Sequence, residues 1–321
     1  MIKISVVIPT YRRPYLLRRC LQALDKQEFS KDAYEVIVVS DGPDGETKSA
    51  VTEFMGQSAT FIHLQLPQKG GPAAARNLGW QSASAPLIAF TDDDTLPDKD
   101  WLQQILNVYR GEKELAYSGR VVVPQSASPT DYEKNTAGLE TADFVTANCS
   151  CTKAALQKVG GFDERFSMAW REDSDLHFKL LLNNIPVIKL PRAVVVHPVR
   201  KAAWGISLKE QKKGLFDALL YKKYPQFYRT NIQTSPSWNY YITLSVVALC
   251  VLALLRHQPW LFRIAFITWF LLLMQFSYKR LKQTSKTFGH IAEMVITSAV
   301  IPFLSLYWHW YGAWRYKVFY L

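Results

Sequence analysis

The last quarter of the chain holds three long apolar runs, and these limit the available folds more than any other feature. Residues 240–255 contain no Asp, Glu, Lys or Arg, residues 259–278 contain one charge, Arg263, and residues 294–314 contain none. Each run reaches the ~20 residues that cross a bilayer. Because the three runs follow one another, we predict a membrane region over residues 238–321 with about three apolar helices.

The ends of these runs are rich in aromatic rings, which favour the level of the lipid headgroups. The aromatic residues are Trp238, Tyr240, Trp260, Tyr278, Tyr307, Trp308, Trp310 and Trp314. The third run also contains Pro302, His309 and Gly312. It therefore fits either a crossing helix or a helix that lies in the membrane interface.

The positive charge of the chain is concentrated in this tail. Residues 1–236 carry 30 basic and 26 acidic side chains, whereas residues 237–321 carry eight and one. Basic residues between apolar runs indicate a membrane surface as the partner and argue against nucleic acid. No basic segment with an apolar core and a small-residue cleavage site opens the sequence. Since the loop after the second run is basic, we expect a protein of the cytoplasmic (inner) membrane with residues 1–236 in the cytosol.

The first 90 residues alternate between short β-branched runs and helical patterns. The apolar runs are residues 2–8, 35–39, 61–66 and 87–90, and helical patterns cover residues 17–24 and 73–82. The alternation predicts an α/β fold, Rossmann-like, with a mostly parallel sheet and flanking helices. In such sheets ligands bind beyond the carboxyl ends of the strands, so residues 9–11, 41–42 and 92–94 should converge there.

Three consecutive carboxylates, Asp92, Asp93 and Asp94, follow the last of these runs. Crowded like charges repel one another, and a divalent cation with oxygen preference offsets that repulsion. We therefore predict a Mg²⁺ or Mn²⁺ site. The alternative is that Asp94 or Thr95 caps a helix predicted over residues 101–109, which would explain one carboxylate of the three.

A second acidic cluster, Glu172, Asp173 and Asp175, opens another predicted helix. The helix dipole favours carboxylates in a first turn, which accounts for Asp175. Asp173 follows the turn-rich segment 160–164, and a carboxylate beside such a segment can meet a second substrate as general base. His197 ends a predicted strand, where it is either a structural residue or a ligand that completes the metal shell.

Six motifs occur in order over about residues 3–200. They are VVIPTYRR at 6–13, VVSDG at 38–42, GGPAAARN at 70–77, DDD at 92–94, GGFDE at 160–164 and ED at 172–173. In this order and spacing they resemble the family 2 glycosyltransferases with the GT-A fold. The resemblance implies inverting transfer of a sugar from a nucleoside diphosphate sugar to an acceptor hydroxyl.

The resemblance also implies a role for each site residue. Pro9, Thr10, Tyr11 and Asp41 would hold the nucleoside, Asp92 would lie by the ribose or the sugar, and Arg13, Arg76, Asp93 and Glu172 would help to bind the donor. Asp94, with His197, would bind the metal ion that bridges the diphosphate. Asp173 would take the proton from the acceptor hydroxyl.

The acceptor and the domain organisation follow from the rest of the sequence. The Gln-x-x-Arg-Trp motif of processive polysaccharide synthases is absent after His197, which favours single addition. The membrane tail favours a lipid-linked or cell-envelope glycan acceptor. We predict a GT-A domain over residues 1–229, a linker over 230–237 and the membrane region over 238–321. The alternative function is a non-catalytic membrane protein that binds sugar nucleotides and kept the fold.

Overall fold

The computed structural model describes residues 1–56 and 59–320. Within them the chain divides into two compact units, residues 1–124 with 137–199 and residues 125–136 with 200–320. Residues 125–136 and 200–229, which the sequence assigns to the soluble domain, thus belong to the second unit. The domain boundaries stay a prediction.

The first unit is built on one sheet. Its strands in the described residues are β1 (Ile4–Thr10), β2 (Tyr34–Ser40), β3 (Thr60–Gln65), β4 (Leu87–Phe90), β5 (Leu96–Pro97), β6 (Ala116–Val122), β7 (Cys149–Thr152) and β8 (Val187–Val196). The order across the sheet is β3-β2-β1-β4-β7-β6-β8-β5. Strands β1 to β4 are parallel, β7 is antiparallel to both of its neighbours, β8 is parallel to β6, and β5 is antiparallel to β8. Six of the eight strands thus run in one direction, as predicted, and the reversed strands β7 and β5 make the sheet mixed.

Helices cover both faces of this sheet, as the sequence predicts. The helices of the first unit are α1 (Pro14–Asp25), α2 (Gly45–Thr52), α3 (Pro72–Ser82), α4 (Trp101–Val108), α6 (Lys153–Val159) and α7 (Glu172–Leu182), whereas α5 (Asp131–Ala137) lies, except for its last residue, in the second unit. Leu17 and Leu21 of α1 pack with Val6 on one face, while Leu176 of α7 packs with Val7 on the other. Alternate residues of β1 thus supply two separate cores.

Gly79 allows α3 to lie directly on the sheet. A Cβ at this position would come within 2.4 Å of Val7 Cγ1 and 3.2 Å of Val39 Cγ2. The small side chains of α3, Ala73 and Ala75, are likewise buried against β1 and β2. This close approach brings the first turns of α3 to the carboxyl edge of the sheet, where its polar residues become part of the site.

The second unit is helical. Its further helices are α8 (Ile206–Glu210), α9 (Leu215–Lys223), α10 (Pro225–Asn231), α11 (Trp238–Leu255), α12 (Pro259–Leu281) and α13 (Phe288–Tyr316). By length and composition, α11, α12 and α13 could each cross a membrane. Many of their large apolar side chains face outward, among them Leu255 at 72% exposure and Leu271 at 61%. Such surfaces need lipid rather than water as their solvent.

Candidate active site

The three carboxylates after β4 lie in a turn that is held by hydroxyl groups. Thr95 donates its Oγ1 proton to the carbonyl oxygen of Asp92 at 2.7 Å, and Thr91 bonds both Thr95 Oγ1 (2.7 Å) and the carbonyl of Ala147 (2.9 Å). The helix-capping alternative is wrong, because β5 follows the turn and Asp100 occupies the N-cap of α4. The turn instead points neighbouring carboxylates at different partners.

Asp93 points towards the end of β1 and the residues that follow it. Its carboxylate accepts a hydrogen bond from Thr10 Oγ1 at 2.7 Å and faces Arg13 Nη1 at 3.3 Å. Burial raises the pKa of Asp93 to about 6, although Arg13 acts in the opposite direction. Thr10 and Arg13, predicted to bind the donor, are therefore brought to Asp93, and the predicted donor contact of all three stays a prediction.

Asp92 meets a cation that is almost fully buried. Arg76, at 2% exposure, donates from Nη2 to Asp92 Oδ1 at 2.7 Å and from Nη1 to Glu172 Oε1 at 3.1 Å. The resemblance implies that Arg76 helps to bind the donor, which stays a prediction. In the structure it joins the two acidic clusters, which lie 80 positions apart in the chain.

Asp94 and His197 face each other. Strand β8 ends at Val196, and the N–H of His197 donates to the carbonyl of Val122 at 2.8 Å, so the histidine continues the pairing with β6. Its Nε2 lies 3.6 Å from Asp94 Oδ1. Each of Asp92, Asp94 and His197 offers one ligand atom, and these atoms all lie within 4.8 Å of one another.

The chemistry of this set fits a divalent cation. Two carboxylates and one imidazole are ligands that Mn²⁺ accepts, and carboxylates also suit Mg²⁺. His197 is 8% exposed, and its Nδ1 is buried with no hydrogen-bond partner among the described residues. A buried imidazole nitrogen without a partner is costly unless something else satisfies it. The carboxylate and histidine cluster thus exists, whereas the ion it holds stays a prediction.

Asp41 holds the loop that precedes α3. Its Oδ1 accepts hydrogen bonds from the N–H groups of Gly70 (2.6 Å) and Gly71 (2.9 Å). Gly71 has a φ of 92°, and a Cβ there would come within 2.6 Å of the carbonyl oxygen of Ser167. Asp41 therefore shapes the loop, and its predicted contact with the nucleoside stays a prediction.

Tyr11 lies at the open end of β1. Pro9 and Thr10 are buried within the strand, whereas Tyr11 is 38% exposed. Lys69 Nζ lies 4.0 Å from the centre of the Tyr11 ring. An exposed aromatic face beside a cation can stack a base and attract a phosphate, which is consistent with the predicted nucleoside contact.

The first turn of α7 carries Glu172 and Asp173. Glu172 is 3% exposed, and burial raises its pKa to about 7 against the opposing effect of Arg76. Asp173 is half-buried, and it accepts hydrogen bonds from the N–H (2.6 Å) and Oγ (3.3 Å) of Ser174. Burial also raises the pKa of Asp173, which makes it a stronger base than an exposed aspartate.

Asp175 has a structural role, as the sequence suggests. It is fully buried, and its Oδ2 lies 3.1 Å from Nζ of Lys179, one helical turn later. Lys179 also donates to the carbonyl of Gly161 at 2.9 Å. The pair therefore attaches α7 to the segment that precedes it.

Asn77 is a residue of the site to which the sequence assigns no role. Its Nδ2 donates to the carbonyl of Phe162 (2.9 Å) and to Glu164 (2.8 Å), while its Oδ1 accepts from the N–H of Phe162 (2.9 Å). A Cβ on Gly161 would come within 2.7 Å of Asn77 Oδ1. Asn77 thus fixes the GGFDE segment. The available signal was a polar pair, Arg76 and Asn77, directly after three alanines.

His177 is a second residue that sequence reasoning missed. It lies one helical turn after Asp173 and stacks on Phe144, with the ring centres 5.2 Å apart and the planes at 13°. Burial lowers the pKa of His177, with Asp143 and Asp173 acting in the opposite direction. Its position on the same side of α7 as Asp173 follows from the i, i+4 spacing.

A curled mixed sheet with an acidic turn after β4 and flanking helices defines a GT-A type transferase fold. The chain belongs to the glycosyl transferase family 2, whose sequence model matches residues 5–166. It is 27% identical over 246 residues to validoxylamine A glucosyltransferase of Streptomyces hygroscopicus subsp. limoneus, covering 65% of this chain and 52% of that one. The chain thus spans about half the length of this curated relative.

Two solved structures share the fold. The mannosyltransferase PcManGT of Pyrobaculum calidifontis, in complex with GDP-Man and Mn²⁺, has a TM-score of 0.58 at 16% identity and covers 98% of this chain and 87% of its own. TarS 1–349 of S. aureus, in complex with UDP, has a TM-score of 0.52 at 18% identity, over 100% and 93% of the two chains. At these identities the likeness concerns the fold alone.

Proposed function

We propose that this chain transfers a sugar from a nucleoside diphosphate sugar to an acceptor hydroxyl, with inversion and with a divalent cation. The observation that carries the proposal is the meeting of Asp92, Asp94 and His197 within 4.8 Å at the carboxyl edge of the sheet, with Arg76 linking Asp92 to Glu172 beside Asp173. Donor-side and acceptor-side groups are thus connected through one buried guanidinium.

On the donor side, positive charge would stabilise the leaving diphosphate. A Mg²⁺ or Mn²⁺ ion held by Asp92, Asp94 and His197 would offset the charge that develops on the leaving diphosphate. Tyr11 and Asp41 would contact the nucleoside, and Lys69 beside Tyr11 adds a cation close to the phosphates. The solved complexes with UDP, with UDP-GlcNAc and with GDP-Man support a nucleotide-sugar donor by analogy.

The acceptor side would use Asp173 as the base. The acceptor hydroxyl loses its proton to the carboxylate as its oxygen attacks the anomeric carbon from the face opposite the diphosphate, and the configuration inverts. A pKa raised by burial improves the proton affinity of this aspartate. The carboxylate of Asp92, 2.7 Å from Arg76 Nη2, stabilises the positive charge of the buried guanidinium. Arg76 can therefore orient Glu172 next to the base.

The place of the reaction would be the cytosolic face of the inner membrane. Three outward-facing apolar helices support membrane attachment, and we assign residues 1–229 to the cytosolic GT-A domain, 230–237 to a linker and 238–321 to the membrane region. An acceptor that is lipid-linked or part of a cell-envelope glycan fits this location. Sugar label that stays entirely in the aqueous phase when membranes are extracted with organic solvent would contradict a lipid-linked acceptor.

Calorimetric titration of the purified full chain with a panel of nucleoside diphosphate sugars, with and without Mn²⁺, tests the donor site. We expect one donor to bind in a metal-dependent way, and Asp94→Ala to weaken that binding by about 100-fold or more. Asp32→Ala, which replaces an exposed aspartate, is the matched control. Binding of no donor by a folded protein would overturn the proposal.

The rival function is a non-catalytic sugar-nucleotide-binding membrane protein. Such a protein would bind the same donor in the same titration and would release no nucleoside diphosphate. The two functions therefore separate on turnover, and the discriminating variant is Asp173→Asn.

A further inference from the structure

The third apolar helix, α13, differs from the other two in its contacts. All three could cross a membrane by length. In an apolar stretch of 18 residues from each helix, however, 33% of the residues are buried within the protein in α13, against 6% in α11 and 11% in α12. The helix has 29 residues, which corresponds to about 43 Å. Its direction relative to α11 and α12 decides whether it crosses.

Helices α11 and α12 form an antiparallel hairpin. The chain turns at residues 256–258, and Tyr240 near the start of α11 lies beside Phe276 near the end of α12, with ring centres 5.6 Å apart. The start of α11 and the end of α12 therefore lie at the same level of the membrane. This level is the reference against which α13 can be placed.

Two well-separated parts of α13 contact the hairpin within about one helical turn of this level. Trp310 lies beside Tyr241 in the first turn of α11, with ring centres 6.4 Å apart. Arg280 in the last turn of α12 donates to Thr297 Oγ1 (2.7 Å) and Ser298 Oγ (3.1 Å). Residues 297 and 310 are about 20 Å apart along a helix axis. A helix parallel to the spans would place them at depths that differ by this distance, so α13 lies across the hairpin end.

The other side of α13 follows a polar part of the chain for most of its length. Glu293 Oε1 accepts from the N–H of Gly205 at 2.7 Å, and the carbonyl of Tyr316 accepts from Lys222 Nζ at 2.8 Å. Residues 293 and 316 are about 35 Å apart along the helix. The segment between the two contacting residues, 206–221, carries three lysines and two acidic residues, all within residues 209–217. These charges are incompatible with a path through a ~30 Å hydrocarbon core.

The packing between these elements is close. A Cβ on Gly312 would come within 2.5 Å of the carbonyl oxygen of Leu215, so α13 and α9 touch backbone to backbone. Arg280 is also paired with Asp131 at 2.8 Å, and the side chains of the pair are 9% and 14% exposed. Removing either partner of such a pair would leave a buried charge. The arrangement of α13 is therefore held by specific contacts.

The remaining face of α13 carries an apolar stripe. Ile296 (52% exposed), Val300 (38%), Tyr307 (57%) and Trp314 (77%) face outward. Their spacings of four, seven and seven residues keep them on one side of a helix with 3.6 residues per turn. An apolar stripe with Trp and Tyr near one end, opposite a face packed on a segment that carries charged side chains, matches a helix that lies in the headgroup region.

We propose that α13 is an interfacial helix and does not cross the membrane. Its stripe enters the headgroup and acyl-chain boundary of the leaflet next to α8–α10, and residues 315–320 stay on the side where α13 begins. The membrane region then has two crossing helices, α11 and α12. This proposal concerns membrane attachment alone and is independent of the proposed activity.

Cysteine accessibility in sealed membrane vesicles tests this topology. Three single-cysteine variants are made in the full chain, with Cys250 replaced by Ala. They are Arg256→Cys in the α11–α12 turn, Lys286→Cys in the α12–α13 loop and Arg315→Cys near the end of α13. Cys20, Cys149 and Cys151 are buried, and the Cys250→Ala chain alone measures their background. A membrane-impermeant maleimide is applied from either side, and labelling after denaturation gives the total for each variant.

We expect Arg256→Cys and Lys286→Cys to react from opposite sides, and Arg315→Cys to show no reaction from the side of Arg256. Reaction of Arg315→Cys from that side, at the rate of Arg256→Cys, would overturn the proposal. Lys317→Cys replaces Arg315→Cys if the latter is poorly produced. Because the comparison is between positions of one chain, the result does not depend on which side is cytosolic.

Discussion

The two acidic clusters of the first unit, residues 92–94 and 172–175, carry the same kind of side chain on different backbone structures. The first lies in a turn after a buried strand, and the second lies in the first turn of a helix. In each cluster one carboxylate is attached to the protein by its own cation. Asp93 faces Arg13 at 3.3 Å, and Asp175 faces Lys179 at 3.1 Å.

The clusters are also joined, since Arg76 bonds one carboxylate from each, Asp92 and Glu172. The third member of each cluster, Asp94 beside His197 and Asp173 in its helix turn, has the proposed reactive role, and Asp92 combines its link to Arg76 with a place in the proposed metal site. Three neighbouring carboxylates thus divide into a structural, a linking and a reactive residue. The division depends on the partner of each residue, and adjacency in the sequence does not reveal it.

Asp173→Asn should give the largest effect, because it removes the proposed base and keeps the shape of the side chain. We expect kcat to fall by about 10²–10⁴-fold, while the calorimetric affinity for the donor stays within about twofold. Asp32→Asn is the control for the same substitution at an exposed site. Unchanged turnover in Asp173→Asn would remove Asp173 from the reaction and weaken the division of roles in the second cluster.

Asp175→Asn should act on stability instead. It leaves Lys179 partly buried beside a fully buried amide, and breaking a buried pair in this way costs about 3 kcal/mol. We expect a lower midpoint of thermal unfolding, followed by tryptophan fluorescence of the full chain in detergent, with little change in KM for the donor at low temperature.

A matched double variant sharpens this result. If the cost of Asp175→Asn comes from the unpaired lysine, Asp175→Asn with Lys179→Gln should cost less than the sum of the two single changes. An Asp175→Asn protein that keeps its midpoint but loses turnover would mean that Asp175 belongs to the reactive group.

The sequence predicted the convergence of the site because strand ends carry that information. Asp94 and His197 are about 100 positions apart, yet both lie just beyond the end of a strand, β4 and β8, and the carboxyl edge of the sheet brings Asp94 Oδ1 and His197 Nε2 to 3.6 Å. Cys149 and Cys151 alternate as in a strand or a loop, but four residues carry no information on direction, so the antiparallel pairing of β7 was not predicted.

The burial of Arg76 could also not be predicted from the sequence. The sequence around Arg76 gives no sign of this burial, and only the packing of α3 on the sheet, permitted by Gly79, encloses it. Similarly, the composition of α13 fits a span and an interfacial helix equally well. Composition along one helix contains no information on the contacts with α9 and α12 that distinguish them.

Glu172→Gln should give the smallest effect, and it tests whether burial or Arg76 dominates at the link between the clusters. Burial raises the pKa of Glu172 from 4.5 to about 7. Between these two values the folded protein binds more protons than the unfolded chain, so stability falls as the pH rises through this range. Gln does not titrate. We therefore expect the wild type to lose about 2 kcal/mol relative to Glu172→Gln between pH 4.5 and 7, with little change above.

The measurement is the difference in thermal midpoint between the two proteins across this pH range, in which the groups that do not interact with Glu172, Asp93 among them, cancel. Glu28→Gln, at an exposed pair with Lys99, is the control for the same substitution at the surface. A slope of the opposite sign would mean that Arg76 outweighs burial and holds Glu172 ionised. Asp173 would then carry out its proton transfer beside a fixed negative charge, and the linking and reactive residues of the second cluster would have to be considered as one group.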